Sequence, residues 1–269
     1  MEILVQNITD PRWKEVFYLT AEMLRRSDDF LRMMKSQIDG MFAVDEKLQS
    51  FLEWINAKTN SVQCNYKTVA IRAFYMFVAF HELSLNLART LDLNFDIAFS
   101  DSMQLDTIRA LIYSLIKILD TTFDLALDLI LILIIDRAFM LTLDHGDIYL
   151  IYSINLHLEF SIDTGNNVWQ QSVNELRNML PQAESNHEAF YQWWRENGKQ
   201  WVSEFRQLCI VHRNIGHDWQ FTDEQVELLK QYYAANILLV ECMNRSDVSK
   251  EVREEIESTL LLPVGVIDS

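Results

Sequence analysis

Turn-forming residues are scarce in this chain of 269 residues, where glycine occurs 6 times and proline 3 times. A sandwich or barrel of many short strands needs turn chemistry at each connection, so the scarcity points to helices. Cysteine is equally thin. Cys64, Cys209 and Cys242 lie far apart, with no Cys-x-x-Cys pair, which excludes a disulfide framework and fits a reducing, cytoplasmic setting. Basic residues are the minority charge: 23 Lys and Arg against 39 Asp and Glu give a net charge of −16. Such a surface repels phosphate, so neither nucleic acid nor an anionic membrane is an expected partner. Long apolar runs are missing too. The longest in the central segment is 129–135, whereas a membrane-spanning helix needs about 20 largely apolar residues. Met1 to Asp10 has neither a basic n-region nor an apolar h-region, so no export signal is expected. No Walker motif exists either: the one Gly-Lys pair, Gly198-Lys199, is followed by Gln200. Nucleotide binding, nucleotide hydrolysis and any cofactor are therefore not expected.

What is present is apolar and helical in spacing. Hydrophobic residues make up 49% of the chain, enough for a substantial core without disulfides. The segment from Asp106 to Asp163 is the most apolar, and Asp106, Asp120, Asp124, Asp128, Asp136 and Asp144 punctuate it. Lys117 and Arg137 are its only cations between Leu111 and Asp144, so its acids are expected at a solvated edge. Asp10-Pro11 starts a first helix, with an N-cap acid before a proline. Trp13, Val16, Phe17, Thr20, Met23 and Leu24 then form one stripe that continues through Leu31, Met34 and Ile38, predicting one long helix to about Gly40. Asp45 caps a second, carrying Leu48, Phe51, Leu52 and Ile55, and a third from about Lys67 to Thr90 is aromatic enough to be buried on several sides.

From Ser153 to Asp163, apolar and polar residues alternate as in a strand. No second segment alternates as clearly to pair with it, so helix is kept there. Asp163 to Asn167 reads as a loop and a sub-boundary within one helical domain spanning 1–269. Beyond it, Val173, Leu176 and Leu180 define a short helix before Pro181. Ser185 to Glu188 has capping-box spacing and opens a helix to about Arg213 that Gly198 interrupts. Thr222 to Gln225 opens another to about Asn244, and Ser249 caps the last, which Pro263 ends. The expected fold is all-α, a multi-helix array with long amphipathic N-terminal and C-terminal helices around the Leu/Asp-rich centre.

Few residues combine into chemistry. The aspartates lack the spacing of a calcium loop, and His145, His212 and His217 lack zinc spacing, so no metal site is expected. Cys209 and His212 share a helix face, but no glycine loop supplies an oxyanion hole. The string Arg213-Asn214-Ile215-Gly216-His217 looks like the Arg-Asn…His signature of HEPN-type ribonucleases, one residue too short. Arg206 to His212 has an allowed spacing without the polar residue that usually follows the arginine. A degenerate ribonuclease using Arg213/His217 or Arg206/His212 is the alternative reading. Of the aromatics in and beyond the run Phe190 to Trp201, Trp194, Trp201 and Phe205 fall on one core stripe, leaving Tyr191, Trp193 and Trp219 as candidate partner-binding residues.

Two flanks resemble a known family. Ile8 to Phe17 with Met23-Leu24, then Arg213 to Phe221, Asp223 to Gln225, Leu228 to Tyr233 and Val252 to Pro263, resemble the opening and close of the C-terminal helical domain of cyanobacterial NACHT-family NTPases. In such proteins the NACHT module hydrolyses nucleotide, while the C-terminal helical region senses a trigger or holds the switch off in a conflict, immunity-like signalling system. The resemblance therefore implies a non-enzymatic sensing or docking domain. The NACHT module itself is not in this sequence, so the chain is read as a solitary homologue, a split component or a fragment. Its implied partner is a protein: a NACHT NTPase in trans, a trigger protein or another copy.

Overall fold

In this computed structural model, residues 1–62, 64–80, 86–91, 124–125, 127–136, 138–139, 167–181 and 187–265 are described, and every regular element among them is helical. The α-helices, in chain order, are α1 (Glu2–Val5), α2 (Lys14–Met23), α3 (Asp28–Phe42), α4 (Glu46–Asn60), α5 (Thr68–Ala79), α6 (Asn86–Leu91), α7 (Asn167–Met179), α8 (His187–Arg213), α9 (Asp223–Arg245) and α10 (Lys250–Thr259). The residues cluster in two compact units. One comprises Met1–Val62, Tyr66–Asn94 and Trp219–Ser269; the other comprises Gln63–Asn65 and Phe95–Asp218. The sub-boundary expected near 163–167 lies outside the described residues apart from Asn167, as does the alternating segment 153–163.

The first unit is built around α9, which packs against α2, α3 and α6. Its start is fixed by a reciprocal capping box: Gln225 N–H donates to Thr222 Oγ1 at 3.2 Å, and Thr222 N–H donates to Gln225 Oε1 at 3.1 Å. The Gln225 amide also donates to both oxygens of Asp45 at 2.9 and 3.1 Å, while Asp45 accepts the Leu48 N–H at the start of α4. Two helix starts are thereby tied together. The Gln225 bond is the main reason the Asp45 carboxyl lies below its ordinary value. Further along, α9 buries Leu229, Tyr232, Tyr233, Leu238, Leu239 and Met243, and Tyr232 stacks on Phe42 of α3 at 3.9 Å. α5 buries every residue from Val69 to Val78, as its aromatic content predicts. It ends at Ala79, short of the expected Thr90, and α6 is a separate element.

The single long helix expected to reach Gly40 is two helices. The chain leaves α2 at Leu24 with ψ 127° and restarts after Ser27. Ser27 is fully buried, and both its N–H and its hydroxyl donate to the Asp247 carbonyl, at 3.1 and 3.0 Å. Asp28 accepts the Ser249 N–H at 2.8 Å, so the break is held by partners more than 200 residues away in sequence. Periodicity does not reveal it, because each half keeps its own apolar face. The face on α2 is also shifted from the expected stripe: Phe17, Tyr18 and Ala21 are buried, while Val16 and Met23 are exposed.

In the second unit α7 packs on α8. Trp169, Val173 and Leu176 of α7 are buried, as are Phe190, Trp194, Trp201, Phe205 and Cys209 of α8. Neighbouring rings on α8 stack: Phe190 on Trp194 at 5.7 Å and Trp201 on Phe205 at 5.4 Å. The core stripe read from the spacing is therefore present. Gly198 does not interrupt α8 as expected; the helix runs through it. A Cβ there would stand 2.7 Å from the Trp194 indole, so glycine is needed for the ring to lie against the backbone.

Gly40, also within a helix, has nothing within 4 Å of where its Cβ would be. Gly40→Ala is expected to raise stability by up to about 1 kcal/mol through helix propensity. Gly198→Ala is expected to lower it by about 1–3 kcal/mol through overpacking. Urea denaturation of both variants checks the opposite signs.

Candidate functional site

The string that most suggested catalysis, Arg213 to His217, sits where α8 ends. Asn214 has φ +55° and its N–H donates to Ile210 O at 2.9 Å, the left-handed residue that terminates many helices. Ile215 is then fully buried. Gly216 follows at φ +83°, where a Cβ would come within 2.9 Å of Ile135 Cδ1. Backbone handedness and close approach both require glycine at that position.

Arg213 closes the arrangement from the last turn of α8. Its Nε donates to Asp128 Oδ1 at 2.7 Å and its Nη2 to Asp124 Oδ1 at 2.9 Å. The Asp128 side chain is 0% exposed. For Asp128 the structure corrects the expectation of acids at a solvated edge, while Asp106, Asp120 and Asp144 lie outside the described residues. Asp128 is buried inside the apolar stretch 127–136, and its counter-charge comes from 85 residues further along the chain. A local count of cations could not have found it. Burial alone would pull the Arg213 guanidinium down, but Asp128 and then Asp124 more than reverse this and hold it above the ordinary arginine value.

The other members of the catalytic readings are similarly placed. His217 Nε2 lies 2.8 Å from Asn214 Oδ1, and burial pulls its pKa below the ordinary imidazole value. Arg206 lies 4.0 Å from Asp218, and His212 meets Trp169 edge to face at 5.9 Å. The Cys209 thiol is buried, which pushes its pKa well above the usual range, and the Asp128 carboxylate adds to that. A thiol so held is a poor nucleophile. Among the described residues no group of three or more His, Cys, Asp or Glu is placed to hold a metal ion, and no helix is long and apolar enough to cross a membrane. His145 lies outside the described residues.

The three candidate partner-binding aromatics fall in different units. Trp219 belongs to the first, half-buried in a cluster with Phe51 at 5.1 Å, Trp54 at 5.7 Å and Phe221 at 6.0 Å. Its ring contributes to packing. Tyr191 and Trp193 stand half-buried on α8 in the second unit. Trp193 lines a recess of about 300 Å³ with Met179, Asn197, Gln200, Trp201 and Glu204. Met179 is 53% exposed beside it, and the Gln200 amide donates to Glu204 at 2.8 Å. Trp193, Asn197, Gln200 and Glu204 follow one another at four-, three- and four-residue steps, so helical spacing alone could have named the polar wall of this recess.

Among the described residues from the buried Trp169 onward, α7 and α8 lie in the second unit and α9 and α10 in the first, and the distinctive strings there fix helix ends and a buried ion pair. Residues 169–263 match the family model of NACHT C-terminal helical domain 2. No curated protein and no solved structure matches the chain. The NACHT C-terminal helical match covers about a third of the sequence and includes the strings Arg213 to Phe221, Leu228 to Tyr233 and Val252 to Pro263. The N-terminal flank Ile8 to Leu24 lies outside it.

Proposed function

We propose that this chain is a non-catalytic sensing and docking domain of a NACHT-type signalling system of the conflict, immunity-like kind, acting in the cytoplasm through a protein surface around Trp193. The support comes from how the NACHT C-terminal helical match uses its reactive side chains. Arg213 neutralises a buried acid, Asn214 ends a helix and Cys209 is buried, so these three side chains have structural roles. Trp193 is the candidate aromatic with ring surface left beside an open recess, and half-exposed tryptophan is the side chain most enriched at interface hot spots. With a net charge of −16, the chain favours a partner that presents a basic patch.

The test is capture of partners by tagged protein from its native cells, with and without phage challenge, alongside Trp193→Ala. The expected result is a specific protein partner that Trp193→Ala loses and whose association slows as salt rises. A set of captured proteins identical for wild type and variant overturns the docking surface. RNA cleavage by the purified chain, abolished by His217→Ala or His212→Ala, would instead establish the ribonuclease reading.

A further inference from the structure

A second recess, of about 440 Å³, opens in the first unit between α3 and α10. That is within the size range of small-molecule pockets. Gly40, Ala43 and Ile256 line its apolar part, and the open space beside Gly40 is large enough that an added Cβ would touch nothing. Two ion pairs stand along its wall. Arg32 grips Glu255 in a two-pronged pair, with Nη2 to Oε2 at 2.7 Å and Nε to Oε1 at 3.2 Å. Lys35, only 7% exposed, donates to both oxygens of Asp39 at 2.6 Å.

These pairs leave specific valences open. An ammonium has three protons, and Asp39 is the one hydrogen-bond acceptor that Lys35 has among the described residues. Among the described residues Arg32 Nη1 donates no hydrogen bond and stands 4.0 Å from Asp29, and each carboxylate retains lone pairs. Burial pulls the Lys35 pKa down and pushes that of Asp39 up, the sign that water solvates neither fully. Groups in that condition gain from polar atoms that complete their hydrogen bonds.

We propose that this recess binds a small zwitterion, a molecule carrying one carboxylate and one ammonium on a compact apolar body, the chemistry of a free amino acid. The charge pattern makes the selection. A lone anion would meet Asp39 and Glu255, and a lone cation would meet Lys35 and Arg32. A molecule bearing both signs can place its carboxylate towards the free N–H groups of Lys35 and Arg32 and its ammonium towards the free lone pairs of Asp39 and Glu255, without breaking either pair. Its apolar body then covers Ala43 and Ile256. The proposal is independent of the docking surface, because the recess and Trp193 belong to different units.

Calorimetry on the full chain with three probes of one carbon skeleton tests it: L-leucine, 4-methylpentanoate, which lacks the ammonium, and isopentylamine, which lacks the carboxylate. The expected result is saturable binding of leucine, with each single-charge analogue weaker by about tenfold or more. Gly40→Leu should abolish the binding by filling the recess while melting no lower than wild type, since leucine is the better helix former. Lys35→Met gives a second check and should weaken leucine more than isopentylamine. Three outcomes overturn the proposal: no leucine binding at millimolar concentration, equal binding of all three probes, or undiminished binding by Gly40→Leu.

Discussion

Arg213→Ala is expected to cost the fold about 3–5 kcal/mol, because it takes the guanidinium away from a carboxylate, Asp128, whose side chain is fully buried. The arginine side chain is 20% exposed and the Asp128 side chain is fully buried, so water cannot take the place of the guanidinium at that oxygen. Removing both charges together should be far less harmful. A buried ion pair replaced by apolar residues of similar volume is often neutral, so Arg213→Met combined with Asp128→Leu is expected to recover most of the loss. Urea denaturation of the single and double variants reads this directly. A change below about 0.5 kcal/mol for Arg213→Ala would show that the pair is not holding the unit together and would reopen a catalytic role for the arginine.

A comparably large effect is expected at Trp201, about 3–5 kcal/mol for Trp201→Ala. The ring is 2% exposed and stacks on Phe205, and its Nε1–H donates to the Leu176 carbonyl at 2.9 Å. Leu176 lies in the last turn of α7, where carbonyls have no partner within the helix, so the indole ends one helix while filling the core. Trp201→Phe keeps most of the ring and loses the donor, and should cost about 1–3 kcal/mol for the carbonyl left unsatisfied. Trp193→Ala, eight residues earlier on the same helix, should cost well under half as much as Trp201→Ala, since its ring is only half-buried. Thermal and urea unfolding of the three variants separates the packing tryptophan from the candidate docking one. If Trp193→Ala unfolds as readily as Trp201→Ala, Trp193 is core and the docking surface loses its anchor.

Sequence reading served best where the cause of structure is local. The capping box at Thr222, the caps at Asp45 and Ser249, and the end of α8 at Arg213 were all legible, because each rests on side chains within about four residues of the groups they satisfy. The core stripe through Trp194, Trp201 and Phe205 was legible for a related reason: burial repeats with the helix period whatever the packing partner is. The candidate site was half legible. Trp193 could be named as an aromatic off the core stripe, but Met179, which flanks it, comes from another helix and gives no sign of it in sequence.

By itself, then, the sequence determined the helical class and many helix starts and stops, all of which depend on short-range chemistry. The tertiary structure decided the rest, in each case because the deciding partner is remote. Ser27 breaks a helix for the sake of the Asp247 carbonyl. Asp128 is buried because Arg213 reaches it from the end of α8. Gly40, read as a helix end, and Gly198, read as an interruption, both lie inside helices, yet one faces open space and the other the Trp194 ring, a difference set only by where other side chains come to rest. The Lys35 to Glu255 recess belongs to the same kind, since its two walls lie more than 200 residues apart and acquire a shared chemistry only when α3 and α10 meet.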